Sequence, residues 1–227
     1  MTGRKRLIDI GHTVSHEMLT HPWMPKPLVN EYITREQSAS FLSPGVTFAL
    51  SQISLPGNTG TYLDAPFQFH VDMSDVARLP LERLVDVPVV VIRIDTASLP
   101  GGREIGPEIF EGRDLTDKAV LLHTGHSRSW GTGAFFQDSP YLTADAAKLL
   151  VDIHPGIFGA DTQNIDSGTD QSKPAQNLLL GADIYLLECV SRRIEEVPET
   201  GALLTVVPTP VEGMGSFPVR PFVTVTD

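Results

Sequence analysis

Hydrophobic residues in this chain collect in short, β-branched blocks separated by glycine and proline, a pattern that predicts strands joined by turns. The blocks cover residues 46–55, 87–95, 119–124, 156–160, 184–190, 203–207 and 221–225. The first alternates imperfectly, as a strand with one wet face does, whereas Val89-Val90-Val91-Ile92 is continuously apolar and predicts burial on both faces. The clearest helical period covers residues 144–153, with Thr143 placed to cap it, Asp145 in its first turn and Pro155 beyond its end. Shorter helices are expected over 79–85 and 174–180, the second opened by a proline. The order predicts an α/β chain in one domain spanning residues 1–227: a strand-rich mixed sheet or barrel-like core with helices packed outside it.

Composition narrows the function classes. With 17 Lys and Arg against 28 Asp and Glu, the formal charge is −11, which argues against a nucleic-acid or anionic-membrane partner. No apolar run approaches the roughly 18–20 residues of a spanning helix. The basic opening from Met1 to Arg6 is followed by only a short apolar stretch, so no signal peptide is expected and the chain is read as cytoplasmic. One cysteine, Cys189, excludes an internal disulfide and a cysteine-based zinc cage, and its apolar neighbours predict a core thiol rather than a nucleophile. No Gly-x-Ser-x-Gly elbow surrounds Ser127, and Gly131-Thr132-Gly133 lacks the strand and spacing of a dinucleotide fingerprint. No cofactor is expected.

The densest chemistry lies in Asn58-Thr59-Gly60-Thr61-Tyr62-Leu63-Asp64-Ala65-Pro66, followed by Gln68 and His70. This run resembles the His-x-Gly-Thr-His-x-Asp-x-Pro-x-His signature of the cyclase family, which includes bacterial kynurenine formamidases and isatin hydrolases. The likeness continues through His123-Thr124-Gly125 with Trp130, through Gly159-Ala160-Asp161 to Asp166, and through Pro174-Ala175-Gln176 and Leu187-Glu188. It implies the family's fold, a small-molecule substrate, and a homodimer or homotetramer. In hydrolytic members the motif's two histidines and its Asp hold zinc or manganese, the next His moves protons, and a later His and Glu complete the metal site. Those roles fall here on Asn58, Tyr62, Asp64, Gln68, Gln176 and Glu188, so every histidine position carries another residue.

That substitution changes the expected chemistry. A neutral imidazole is a good zinc donor, whereas an amide oxygen is weak and a phenol is protonated near neutral pH. Asp64 and Glu188 could form a carboxylate pair, with one acid raised by its neighbour; alternatively Asp64 caps a turn and Glu188 pairs with Arg192. Tyr62 can donate to a developing oxyanion, while Asn58, Gln68 and Gln176 can orient a substrate. If residues 68–70 are a strand, Gln68 and His70 share a face and His70 can replace the lost imidazole; otherwise it is an ordinary loop histidine. Trp23 and Trp130 are candidate pocket walls, and His12, His16 and His21 are expected on a surface loop. The first reading is therefore a metal-independent cyclase or rearrangement enzyme for a small organic, natural-product-like substrate. It would use Asp64, Tyr62, His70 and Glu188 for catalysis. The alternatives are a metal-dependent amide, formamide or lactam hydrolase and a non-catalytic binder.

Overall fold

The computed structural model describes residues 4–226; the first three residues of the basic opening and Asp227 lie outside the described residues. Nine strands form one mixed sheet: β1 (Lys5–Asp9), β2 (Tyr62–Asp64), β3 (Val87–Arg93), β4 (Ala119–His123), β5 (Ile157–Ala160), β6 (Tyr185–Glu188), β7 (Ala202–Thr205), β8 (Ser216–Pro218) and β9 (Phe222–Thr226). Across the sheet they run β1-β9-β7-β3-β4-β5-β6-β2-β8. The central four, β3 to β6, pair in parallel, and both flanks add strands antiparallel. The result is a curled half-barrel with β1 and β8 at its edges.

Strand period fixes how this sheet is packed. Val89, Val91, Leu121 and Leu187 point to one face, where they meet Ile8, Leu63, Leu204 and Val223. Their sequence neighbours Ile92, Val120, Leu122 and Leu186 point to the other. That second face is covered by α2 (Ala144–Ile153) and α3 (Pro174–Gly181), through Ala147 and Leu150 of the former and Leu179 and Leu180 of the latter. The expected two-sided burial of the Val89–Ile92 run is thus what the structure shows. Helix α2 has the expected limits. The Thr143 side chain accepts from the Ala146 N–H at 3.2 Å, and His154, in the left-handed conformation, ends it ahead of Pro155.

Three expectations are corrected. The block 46–55 yields only Leu50–Ser54, which pairs with Leu28–Ile33 in a separate hairpin whose faces stay largely exposed. The helix expected over 79–85 is a single 3₁₀ turn, Leu81–Arg83, because Pro80 precedes it and the chain must enter β3 at once. The segment holding Gln68 and His70 is no strand: Pro66–Gln68 forms another 3₁₀ turn. The remaining α-helix among the described residues, α1 (Arg35–Ala39), is capped by Thr34.

The alternation makes a stability prediction. Leu187 is fully buried and Leu203 is 37% exposed, although both lie in strands of the same sheet. Leu187→Ala should cost about 2–5 kcal/mol in urea melts, and Leu203→Ala should stay within about 0.5 kcal/mol of the parent.

Candidate active site

The antiparallel pairing of β2 with β6 assembles the site. Its register sets Tyr62 opposite Glu188 and Asp64 opposite Leu186, while β8 sets Ser216 opposite Asp64 on the other side. Directly opposed residues share a face, and so do Tyr62 and Asp64, two apart on one strand. Tyr62, Asp64 and Glu188 therefore converge on the face that carries α3. Beyond Glu188 the chain turns sharply at Cys189, which holds a positive φ of 56° and whose carbonyl accepts from the Thr61 hydroxyl at 2.6 Å.

Hydrogen bonds tie the cluster together. The Tyr62 hydroxyl donates to Glu188 Oε2. Glu188 Oε1 accepts from the Ile165 N–H at 3.3 Å and from Gln176 Nε2 at 3.4 Å. Asn58 Nδ2 donates to Asp64 Oδ1 at 3.2 Å, and Asn58 Oδ1 accepts from Ser216 Oγ at 2.9 Å. Asp64 Oδ2 is buried with no partner. Behind the cluster, Asp166 accepts the Ala175 and Gln176 N–H groups at 2.8 and 2.9 Å and so aims α3 at Glu188. Asp161 binds the Thr124 and Gly125 N–H groups, both at 2.8 Å, and fixes the loop that brings in Trp130.

Asp64 and Glu188 are both buried, at 0% and 1% exposure, so desolvation raises both carboxyls above the usual range; the Glu188 charge raises Asp64 further. Three donors offset part of the rise at Glu188, whereas Asp64 has only the Asn58 amide. Burial also raises the Tyr62 phenol and the Cys189 thiol, which keeps that thiol protonated as expected of a core cysteine.

A small pocket, about 40 Å³, opens onto this cluster between Leu19, His21, Met24, Asn58, Tyr62 and Trp130. Asn58, Tyr62, Asp64, Gln176 and Glu188 are thus brought together, with Trp130 at the wall. Trp23 is 78% exposed and lines a wider groove outside. Gln68 is exposed and lies against Gly215, and His70 is held by the Asn177 carbonyl at 3.0 Å; neither joins the cluster, because the 3₁₀ turn carries them past it. Glu188 pairs with Tyr62 rather than Arg192, and Asp64 is a strand residue rather than a turn cap.

The early histidines also depart from expectation. His12 stacks on Trp130 at 3.7 Å with the rings 7° from parallel, and burial lowers its pKa to about 4. His21 edges onto Phe136 at 5.7 Å. Only His16 is exposed; it accepts from the Val29 N–H. Of the residues that complete the site, Gln163 and Asn164 lie inside the stretch from Gly159 to Asp166 that carries the family likeness, whereas His12, His21 and Ser216 belong to segments far from the motif that nothing in the chain tied to it.

The site does not fit the transition ion that the motif's hydrolytic form would hold. The Asn58 and Gln176 amide oxygens already accept from Ser216 and Asn164, and the Tyr62 hydroxyl is committed to Glu188. Asp64 Oδ2 alone is left, and one oxygen is not a coordination cage. Among the described residues, no three His, Cys, Asp or Glu side chains stand close enough to hold a metal ion.

Comparison with known proteins places this geometry. Residues 8–167 match the family described as "Putative cyclase". A kynurenine formamidase of Bacillus cytotoxicus is 28% identical, with 94% of each chain covered, and that of Geobacillus thermodenitrificans is 26% identical with the same coverage. Among solved structures, isatin hydrolase A from Labrenzia aggregata bound to benzyl benzoate is 26% identical, covers 98% of this chain and 94% of its own, and has a TM-score of 0.82. Isatin hydrolase A from Ralstonia solanacearum, 23% identical over 97% of this chain and 92% of its own with a TM-score of 0.81, has the same fold. Matched over more than half of its length, and sharing its fold with these structures, the chain belongs to the cyclase family.

Proposed function

We propose that this chain is an enzyme that cyclises or rearranges a small organic molecule by proton transfer from its own side chains, without a transition metal. The observation that carries this reading is the commitment of the former ligand positions to one another, which leaves two buried carboxyls bridged to the pocket by a phenol and an amide. The two acids have unequal surroundings, and that divides their roles. Glu188, with three donors, is the member that ionises and serves as base. Asp64, with one donor and the Glu188 charge nearby, keeps its proton on the unpartnered Oδ2. Tyr62 is the group that faces the pocket. As its oxygen takes a proton from substrate, its own proton passes to Glu188, and the reverse transfer returns it after the bond change. Asn58 and Gln176 hold the two carboxyls in place, and the Trp130 loop limits water.

A second reading, metal-dependent hydrolysis of an amide, formamide or lactam, is favoured by the names of the relatives. It differs in one measurable respect. On the first reading, the purified protein lacks stoichiometric zinc or manganese by elemental analysis, and turnover survives chelation. Stoichiometric metal whose removal abolishes turnover would establish the second reading instead. Tyr62→Phe and Glu188→Gln should each lower kcat by about 10²–10⁴ with little change in fold by circular dichroism. Unaltered kcat in both would remove the phenol and Glu188 from the reaction.

The raised Glu188 pKa gives a pH prediction with a definite sign. The carboxyl sits at about 7 when folded against an ordinary value of 4.5, so the folded state binds the extra proton and loses this stabilisation as pH rises between those values. Urea midpoints of the parent protein should therefore fall from pH 4.5 to 7 more steeply than those of Glu188→Gln.

The reading includes self-association. Apolar side chains stay exposed on both faces of the hairpin, Leu28 on one and Ile53 with Val29 on the other, and Tyr32, Leu50, Phe41 and Phe48 are exposed nearby; this exposure supports a homodimer or homotetramer. Light scattering on the eluted protein should give twice or four times the chain mass, and Ile53→Asp should lower it. A buried free thiol fits a reducing cytoplasm, and among the described residues no helix is long and apolar enough to cross a membrane.

A further inference from the structure

The small pocket does not end at Tyr62. His21, Phe136 and Gln163 line both it and an outer groove of about 670 Å³, so the two adjoin at these side chains as a narrow inner end and a broad outer one. The inner end is apolar and aromatic at Met24, Trp130 and Phe136. The outer end is polar, with Asn164, Ser167 and Lys173 along one side. A substrate that fills only the inner end would leave the groove unused.

Lys173 distinguishes this groove. Its backbone is held at a positive φ of 45°, directly before Pro174 at the start of α3, so the side chain is directed by a conformation that lysine rarely adopts. Its ammonium donates to the Ser167 carbonyl at 2.9 Å and forms no ion pair with any described residue. The acids that face the same groove are engaged elsewhere. Both oxygens of Asp166 accept backbone N–H groups of α3, and Asp138 pairs with Arg103 at 2.8 Å. Asp170, nearby, accepts from the Ser172 hydroxyl and N–H. Half-buried Lys173 therefore keeps donors to spare beside the cavity. At the junction of the two ends, His21 Nδ1 is buried and has no partner, a second polar atom left open where a ligand would pass. The Lys173 charge also reaches inward, favouring the neutral form of His21 and the ionised form of Glu188.

We infer that the substrate is elongated and amphiphilic, with its reacting apolar head between Tyr62 and Trp130 and an anionic oxyacid tail, carboxylate or phosphate, held by Lys173. The inference rests on the proposed site at Tyr62 and Glu188 and adds the substrate class and the residue that selects it. Lys173 is a specificity-determining residue, and His21 is the neutral hydrogen-bonding group between head and tail. The net charge of the chain makes this choice informative, because a protein this acidic repels an anion unless a local cation is placed to receive it.

The test reads binding rather than turnover. Trp23 and Trp130 are the two tryptophans of the chain, and they line the groove and the pocket respectively, so intrinsic fluorescence reports occupancy. Phenylbutyrate, phenylpropyl phosphate and phenylbutyramide present the same head with a carboxylate, a phosphate or a neutral amide. At least one of the acids should bind about tenfold more tightly than the amide, as a charge-assisted hydrogen bond to an ammonium implies. The preference should weaken with added salt, vanish in Lys173→Met and survive in Lys173→Arg; which acid wins identifies the tail. Equal affinities for all three probes, a preference unchanged in Lys173→Met, or no response to any probe would overturn the inference. Because the comparison on the unaltered protein stands by itself, a misfolded Lys173→Met variant does not protect the proposal. Failure of the catalytic reading is separately visible: Tyr62→Phe would then keep its turnover while the acid preference persisted.

Discussion

Two carboxyl groups share one buried face of a sheet, and the rest of the site is arranged around that cost. Strand β2 sets Asp64 and Tyr62 beside Glu188 of β6 in a place with almost no solvent. Two adjacent carboxylates there repel, and each has lost its water, so the pair is tolerable only if one keeps a proton and the other is well supplied with donors. The Tyr62 hydroxyl, the Ile165 N–H and the Gln176 amide supply Glu188, and the Asn58 amide supplies Asp64. The two amide donors are themselves held from behind, Gln176 by the Asp166 grip on the start of α3 and Asn58 by Ser216 of the edge strand β8.

This arrangement explains why a cyclase-family fold can persist while its ligand set changes. The sheet, its two cores and the Asp161 and Asp166 anchors are backbone devices that need no metal. On the proposed reading, the charge of the two buried acids is handled by hydrogen bonds and a retained proton rather than by a metal. On that reading the site groups acid, base and phenol on one sheet face, which are the elements of proton-transfer chemistry. It lacks the open coordination position that generates a metal hydroxide.

The outer cavity supplies what the inner one does not. The pocket at Tyr62 is small and aromatic, and shape alone discriminates poorly among apolar groups. Lys173, unpaired among the described residues and set by a left-handed backbone, lines the outer groove. A charged contact remote from the reacting atoms both selects a substrate and lends binding energy to its orientation.

Much of this was legible in the amino-acid order. Local period and capping determined the long parallel strands and α2, because those features depend on near neighbours: the Val89–Ile92 run, Thr143 before the helix and Pro155 after it. The resemblance to the cyclase family likewise marked Asn58, Tyr62, Asp64, Gln176 and Glu188 as one constellation. The short strand β2 and the edge strands β1 and β8 were not foreseen, since a few residues carry too little period to be read, and their pairing is decided by partners far along the chain. For the same reason His70, close to the motif in sequence, was set outside the site by a 3₁₀ turn, while His12 and His21 were folded in from a distant segment. Sequence alone determined which chemical groups are present and which are missing. Only the tertiary structure decided which of them touch, because contacts such as Tyr62 with Glu188 span 126 positions and exist only once strands from both halves of the chain have paired.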